Sequence, residues 1–140
     1  MQNDIKSIIH SNKPVFTAPL IGGGIAVLIN SLLFLIFSSF NTFPVNVLMP
    51  FTKLPLSLVD VILWSFVPVF FAIPVLIYLY KTSNNPFKLF TFITFAVLAI
   101  SMIAPTTLDY VTLQMIVSLE IMQILAALSI YSAVSRAVNK

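Results

Sequence analysis

No cysteine occurs among the 140 residues, so disulfides, thiol nucleophiles, dithiol redox motifs and cysteine-based metal sites are all excluded. Charge is nearly as scarce, at 8% of the chain. The four acids are Asp4, Asp60, Asp109 and Glu120, and the single histidine is His10. A metal site draws on several donors at set spacing, and His10 has no second His or Cys near it, so no metal is expected. Ser–His pairs, paired intramembrane carboxylates and ligand clusters are also missing. The chain therefore reads as a non-enzyme, with no catalytic residue and no cofactor. Glycine is confined to one place, Gly22-Gly23-Gly24.

What the chain does have is apolar length. Hydrophobic residues make up 59% and the mean hydropathy is +1.07, far outside the norm for soluble domains. Four apolar stretches stand out, at residues 20–40, 58–80, 89–104 and 112–134. About 20 such residues cross a bilayer as a helix. The expected fold is all-α, a single domain over residues 1–140 built as a four-helix transmembrane bundle in contact with the lipid bilayer. A cleaved signal peptide competes for the first stretch, with Lys6 and Lys13 as its basic flank. The run is too long for one, and no small-x-small site follows at Asn41–Val45.

The net charge of +3 is not the footprint of a nucleic acid partner, because its seven basic residues are scattered. With the N-terminus inside, Lys6, Lys13, Lys81, Lys88, Arg136 and Lys140 all fall on the inner side, and only Lys53 falls outside. That bias places both termini in the cytoplasm. Tyr78, Tyr80 and Tyr131 at inner ends, with Trp64 and Tyr110 towards outer ends, suit interfacial anchoring. No internal repeat is present, which argues against an inverted-repeat carrier.

The connections carry their own signals. In residues 1–15, Ile5, Ile8 and Ile9 share a face beside Lys6 and Lys13, fitting either a short interfacial helix or a frayed tail. Residues 41–57 contain Pro44, Pro50 and Pro55, which forbid a regular helix, yet stay apolar through Phe43, Val47, Met49 and Phe51. Such a loop belongs at the interface or folded over the outer mouth of the bundle, as packing or as a gating lid. Pro68 and Pro74 lie inside the second stretch and can kink it. Asn84, Asn85 and Pro86 break the chain before the third, and Pro105 ends it.

One carboxylate lies deep in the fourth stretch. At about 1.5 Å per residue, Glu120 is about 12 Å below the outer face and Gln123 about 16 Å. Asn30, counted from the inner face, reaches about 15 Å. These three are expected to form an intramembrane polar cluster, with Asn30 and Gln123 donating to the Glu120 carboxyl. No basic residue shares that depth, and hydrocarbon penalises the charged form. Asp60 and Asp109 sit towards the outer side, as solvated surface or as a cation-attracting vestibule. Ser65, Ser101, Ser118 and Ser129 suit interhelical hydrogen bonds. Gly22, Gly23 and Gly24 fail as a phosphate loop, since no strand precedes them and no Lys-Ser/Thr signature follows. With Ala26 they make a helix-packing face that leads to Asn30.

Several of these features occur together in one known group. They are Gly24-Ile-Ala-Val-Leu-Ile-Asn30, the long outer loop, the basic turn before the third helix, the Pro105 stop and Met122-Gln-Ile-Leu-Ala-Ala127. The chain resembles an uncharacterised bacterial family of small four-helix integral membrane proteins, a domain of unknown function. In that family a His often follows the Met; here the position is Gln123, so no protonation role for such a His is carried over. The resemblance implies a fold and a topology but no activity.

Two functions remain in view, ahead of a third, a membrane enzyme acting on a lipid. One is a non-enzymatic accessory or structural membrane protein, acting as a homo-oligomer or beside a membrane protein partner. The other is a small proton- or cation-linked transporter or channel-like protein using Glu120.

Overall fold

The computed structural model describes residues 13–139. Its helices are α1 (Lys13–Ser39), α2 (Leu58–Thr82), α3 (Pro86–Ser101) and α4 (Leu113–Val138), with a 3-10 turn at Ala104–Thr107 between the last two. Four segments are long and apolar enough to cross a membrane, the third being Pro86–Thr107. The expected interfacial helix near Ile5, Ile8 and Ile9 lies outside the described residues.

The helix boundaries differ from the sequence reading at the ends. α1 begins at Lys13 rather than Leu20. Pro14 sits in the first turn, where the missing N–H would have had no partner anyway. Pro19 removes one hydrogen bond inside the helix, and the helix continues through it with Pro19 fully buried. α4 runs on to Val138 and takes in the basic Arg136 in its last turn. α3 starts early, at Pro86, for the same reason that α1 tolerates Pro14. α2 is continuous through both Pro68 and Pro74.

Helix ends are well specified by side chains. Ser57 caps α2, accepting from the Asp60 N–H at 3.2 Å, while Asp60 Oδ2 accepts from the Ser57 N–H at 2.9 Å and from the Ser57 hydroxyl at 2.6 Å. This reciprocal box satisfies donors that the first turn otherwise leaves bare. Ser57→Ala is expected to cost about 1 kcal/mol, read from unfolding in lipid–detergent micelles, with an unchanged value arguing against the box. Thr112 caps α4 through the Met115 N–H at 3.2 Å. Two residues past the end of α1, Asn41 has a φ of 54°, the left-handed conformation of a C-terminal cap. The Thr42 N–H reaches back to the Phe37 carbonyl and the Asn41 N–H to that of Ser38, the paired bonds of a Schellman motif.

α1 packs against both α4 and α2, and α3 closes the bundle from the far side with lighter contacts to α2 and α4. At the end where α1 starts and α4 finishes, the terminal end, Phe16, Val69, Leu76, Phe90, Ile130 and Val134 form the main core. At the opposite end the 41–57 loop folds over the helices. Val47 and Met49 bury against Met115, with Phe43, Leu108 and Leu119 around them. Met49 and Leu54 pair through the Met49 N–H to the Leu54 carbonyl at 2.9 Å, closing a tight turn that carries Lys53 at a φ of 55°. Phe51 at the turn rests against Trp64, ring centres 5.5 Å apart.

Two of the tyrosines expected at the inner interface also pack helix against helix. Tyr80 meets Phe16 of α1 edge-on at 5.4 Å, and Tyr131 of α4 stacks on Phe87 of α3 at 5.8 Å. Both residues are half-buried, Tyr80 in the α1–α2 seam and Tyr131 in the lighter α3–α4 seam.

Candidate functional site

α1 and α4 come into backbone contact where they cross. A Cβ added to Gly22 would lie 2.5 Å from the Ile130 Cα and 2.7 Å from the Ser129 carbonyl oxygen, so the two backbones touch there. Gly23 faces the other neighbour: its Cβ would run into the Val69 side chain and meet Phe66 at 3.2 Å. Ala26, one turn on, is fully buried. Gly24 departs from the expected packing role. It is exposed, with nothing within 4 Å of a Cβ, because one residue further round the helix points away from both partners.

Two turns beyond Gly22 on the same stripe, this face delivers Asn30 to the junction of α1, α2 and α4. Asn30 is 3% exposed. Its Nδ2 donates to Ser65 Oγ of α2 at 2.9 Å and to the Met122 carbonyl of α4 at 3.1 Å. The carbonyl can only accept, so it fixes which end of the amide faces α4. Asn30 Oδ1 is buried and has no hydrogen-bond partner among the described residues. One side chain thereby ties three helices at a single level.

The expected Asn30–Glu120–Gln123 cluster does not assemble. Met122, not Glu120, faces Asn30, and two residues further back on a helix is about 200° of rotation. Glu120 precedes Gln123 by three residues on the helix, and Gln123 lies on the side of α4 towards α3. There Gln123 Oε1 accepts from Ser101 Oγ of α3 at 3.1 Å, and the same hydroxyl also lies 2.8 Å from the Leu98 carbonyl. Glu120 is half-buried and makes no side-chain hydrogen bond among the described residues. The midplane polar groups thus divide between two seams.

The acids on the loop side also part company. Asp60 is 6% exposed and committed to its capping box, which corrects its reading as solvated surface or vestibule. Asp109 is exposed. Of the serines expected to bridge helices, Ser65 and Ser101 do so, whereas Ser118 and Ser129 bond carbonyls of their own helix, Gln114 and Leu125. A polar pair missed from the sequence is Thr42, 2% exposed, which accepts from Gln114 Nε2 at 3.1 Å and ties the loop to the start of α4. Gln114 in the first turn of an otherwise apolar span was the available signal. Among the described residues no group of three or more His, Asp or Glu side chains could hold a metal.

These features define an integral membrane protein of the four-helix bundle class, closed by a glycine seam and tied by interhelical amide–hydroxyl bonds. The sequence pattern of the family of unknown function DUF6069 matches residues 10–140, and the chain belongs to that family. Neither the curated proteins nor the solved structures yield a significant match.

Proposed function

We propose that this protein is a non-enzymatic accessory or structural component of a membrane, acting through its bundle as a homo-oligomer or beside another membrane protein. The observation that carries the reading is the commitment of both midplane amides, Asn30 and Gln123, to interhelical hydrogen bonds on separate seams. Side chains spent on holding helices together are not lining a common path. The distribution of basic residues supports a topology with both termini in the cytoplasm, and the resemblance to a bacterial family supports a bacterial inner membrane.

A second reading is favoured by Glu120 alone. Glu120 is half-buried with no side-chain hydrogen bond among the described residues, and an ionisable side chain at that depth suits a proton- or cation-linked site. Reconstitution in liposomes loaded with a pH-sensitive dye separates the two. The accessory reading expects proton and cation flux no greater than in empty liposomes, and the same for Glu120→Gln, with both proteins equally stable. Flux in the wild type that Glu120→Gln abolishes without loss of fold would replace it with the transporter reading.

A further inference from the structure

The close approach of α1 and α4 at Gly22 leaves a groove on their outer side at the terminal end, of about 600 Å³. Its lining includes the apolar side chains of Ile21, Ile25, Leu125 and Leu128. Thr17, Ser132 and Arg136 line it as well, and no carboxylate is among its described lining residues. Ser132 and Arg136 are four residues apart, one turn on the same face of α4, and both are exposed. Lys13 begins α1 directly beside the groove residue Pro14.

The dimensions match one lipid leaflet. Leu125 to Arg136 is eleven residues, about 16 Å along the helix, against about 15 Å for half the hydrocarbon core. Arg136 falls in the last turn of α4, where a membrane-spanning helix leaves the hydrocarbon for the headgroup layer. A second groove between the same helices, about 690 Å³ at the loop end, offers the contrast. It is lined by residues such as Phe37, Phe40, Val117 and Ile121, contains no charged side chain, and its amide Gln114 is already bonded to Thr42.

We propose that the α1–α4 groove at the terminal end is a binding site for one anionic phospholipid of the surrounding bilayer. The phosphate accepts hydrogen bonds from the Arg136 guanidinium and the Ser132 hydroxyl, with Lys13 adding positive charge. One acyl chain lies along Ile21, Ile25, Leu125 and Leu128. The site owes its shape to small residues: Ala18, Ser129 and Ala133 line its floor and let the helices approach without filling it. This inference does not depend on the accessory reading, because a scaffold and a transporter can each hold such a lipid.

The test is native mass spectrometry of the delipidated full-length protein, titrated with phosphatidylglycerol or phosphatidylcholine of matched chains. The wild type is expected to bind one phosphatidylglycerol in clear preference to phosphatidylcholine. Arg136→Gln should weaken that binding about fivefold, in line with the contribution of a single basic residue at a lipid surface. Leu128→Trp, which fills the groove from an exposed position, should weaken both lipids. Lys88→Gln, an equal charge change away from the groove, should leave binding unaltered, and inorganic phosphate should not compete. Equal affinity for the two lipids, unchanged binding in Arg136→Gln, or an equal loss in Lys88→Gln would overturn the proposal.

Discussion

Gly22→Ala is expected to lower the stability of the bundle by about 1–3 kcal/mol, whereas Gly24→Ala two residues on raises it by about 0.5–1 kcal/mol. The two substitutions are chemically identical and differ only in what the new methyl meets. At Gly22 it would lie 2.5 Å from a Cα of α4. Backbone cannot rotate out of the way, so α1 and α4 must move apart along the seam, loosening the Ile130 and Val134 packing that adjoins it. At Gly24 the methyl meets nothing, and the helix gains from a better helix former. Gly23→Ala falls between them, since its nearest neighbours are the side chains of Val69 and Phe66 rather than backbone. Unfolding in micelles titrated with denaturing detergent ranks the three. Equal effects at Gly22 and Gly24 would mean that the α1–α4 contact is not as close as described.

Asn30→Asp is the second large effect, at about 3–5 kcal/mol of lost stability when the carboxyl is ionised. The native amide works as a donor, giving both Nδ2 hydrogens away to Ser65 and Met122. A carboxylate has none to give, faces the Met122 carbonyl oxygen, and finds no basic side chain among the buried residues. Asn30→Leu is milder, at about 0.6–1.7 kcal/mol, the measured range for single hydrogen bonds between membrane helices. It removes the two bonds but also the buried Oδ1 that has no partner, so a cost disappears along with a gain. The same unfolding titration compares them. Should Asn30→Leu destabilise as much as Asn30→Asp, the junction would depend on the volume of this side chain and not on its polarity.

Hydropathy and proline placement were enough to read the four spans, because a bilayer imposes a length on each crossing that few other structures share. The small-residue face was legible too, though not its direction: Gly22, Gly23 and Gly24 are alike in sequence, and only the positions of α4 and α2 tell which two are buried. The site was half legible. Depth along a helix follows from counting, and Asn30 and Met122 do meet at one level. Rotation about the axis does not follow, and Glu120, at the right depth, turned out to be on the wrong side of α4. Asp60 was misread for a related reason. Its place near a helix start suggested solvent exposure, while the Ser57-x-x-Asp60 spacing, a capping pattern with Asp in place of the usual Glu, already specified an inward role.

The tightest seam, between α1 and α4, joins helices that are far apart in the chain. During synthesis α1 enters the membrane with Gly22, Gly23 and the Asn30 amide uncovered, and α2 can take up only part of that face. The Met122 carbonyl arrives with the fourth helix, so until then one Asn30 hydrogen has no assigned acceptor within the bundle. A chain stalled before α4 would therefore carry an unmet polar group at mid-membrane depth, visible to whatever monitors unassembled helices. Arrival of α4 hides it and closes the bundle in the same step.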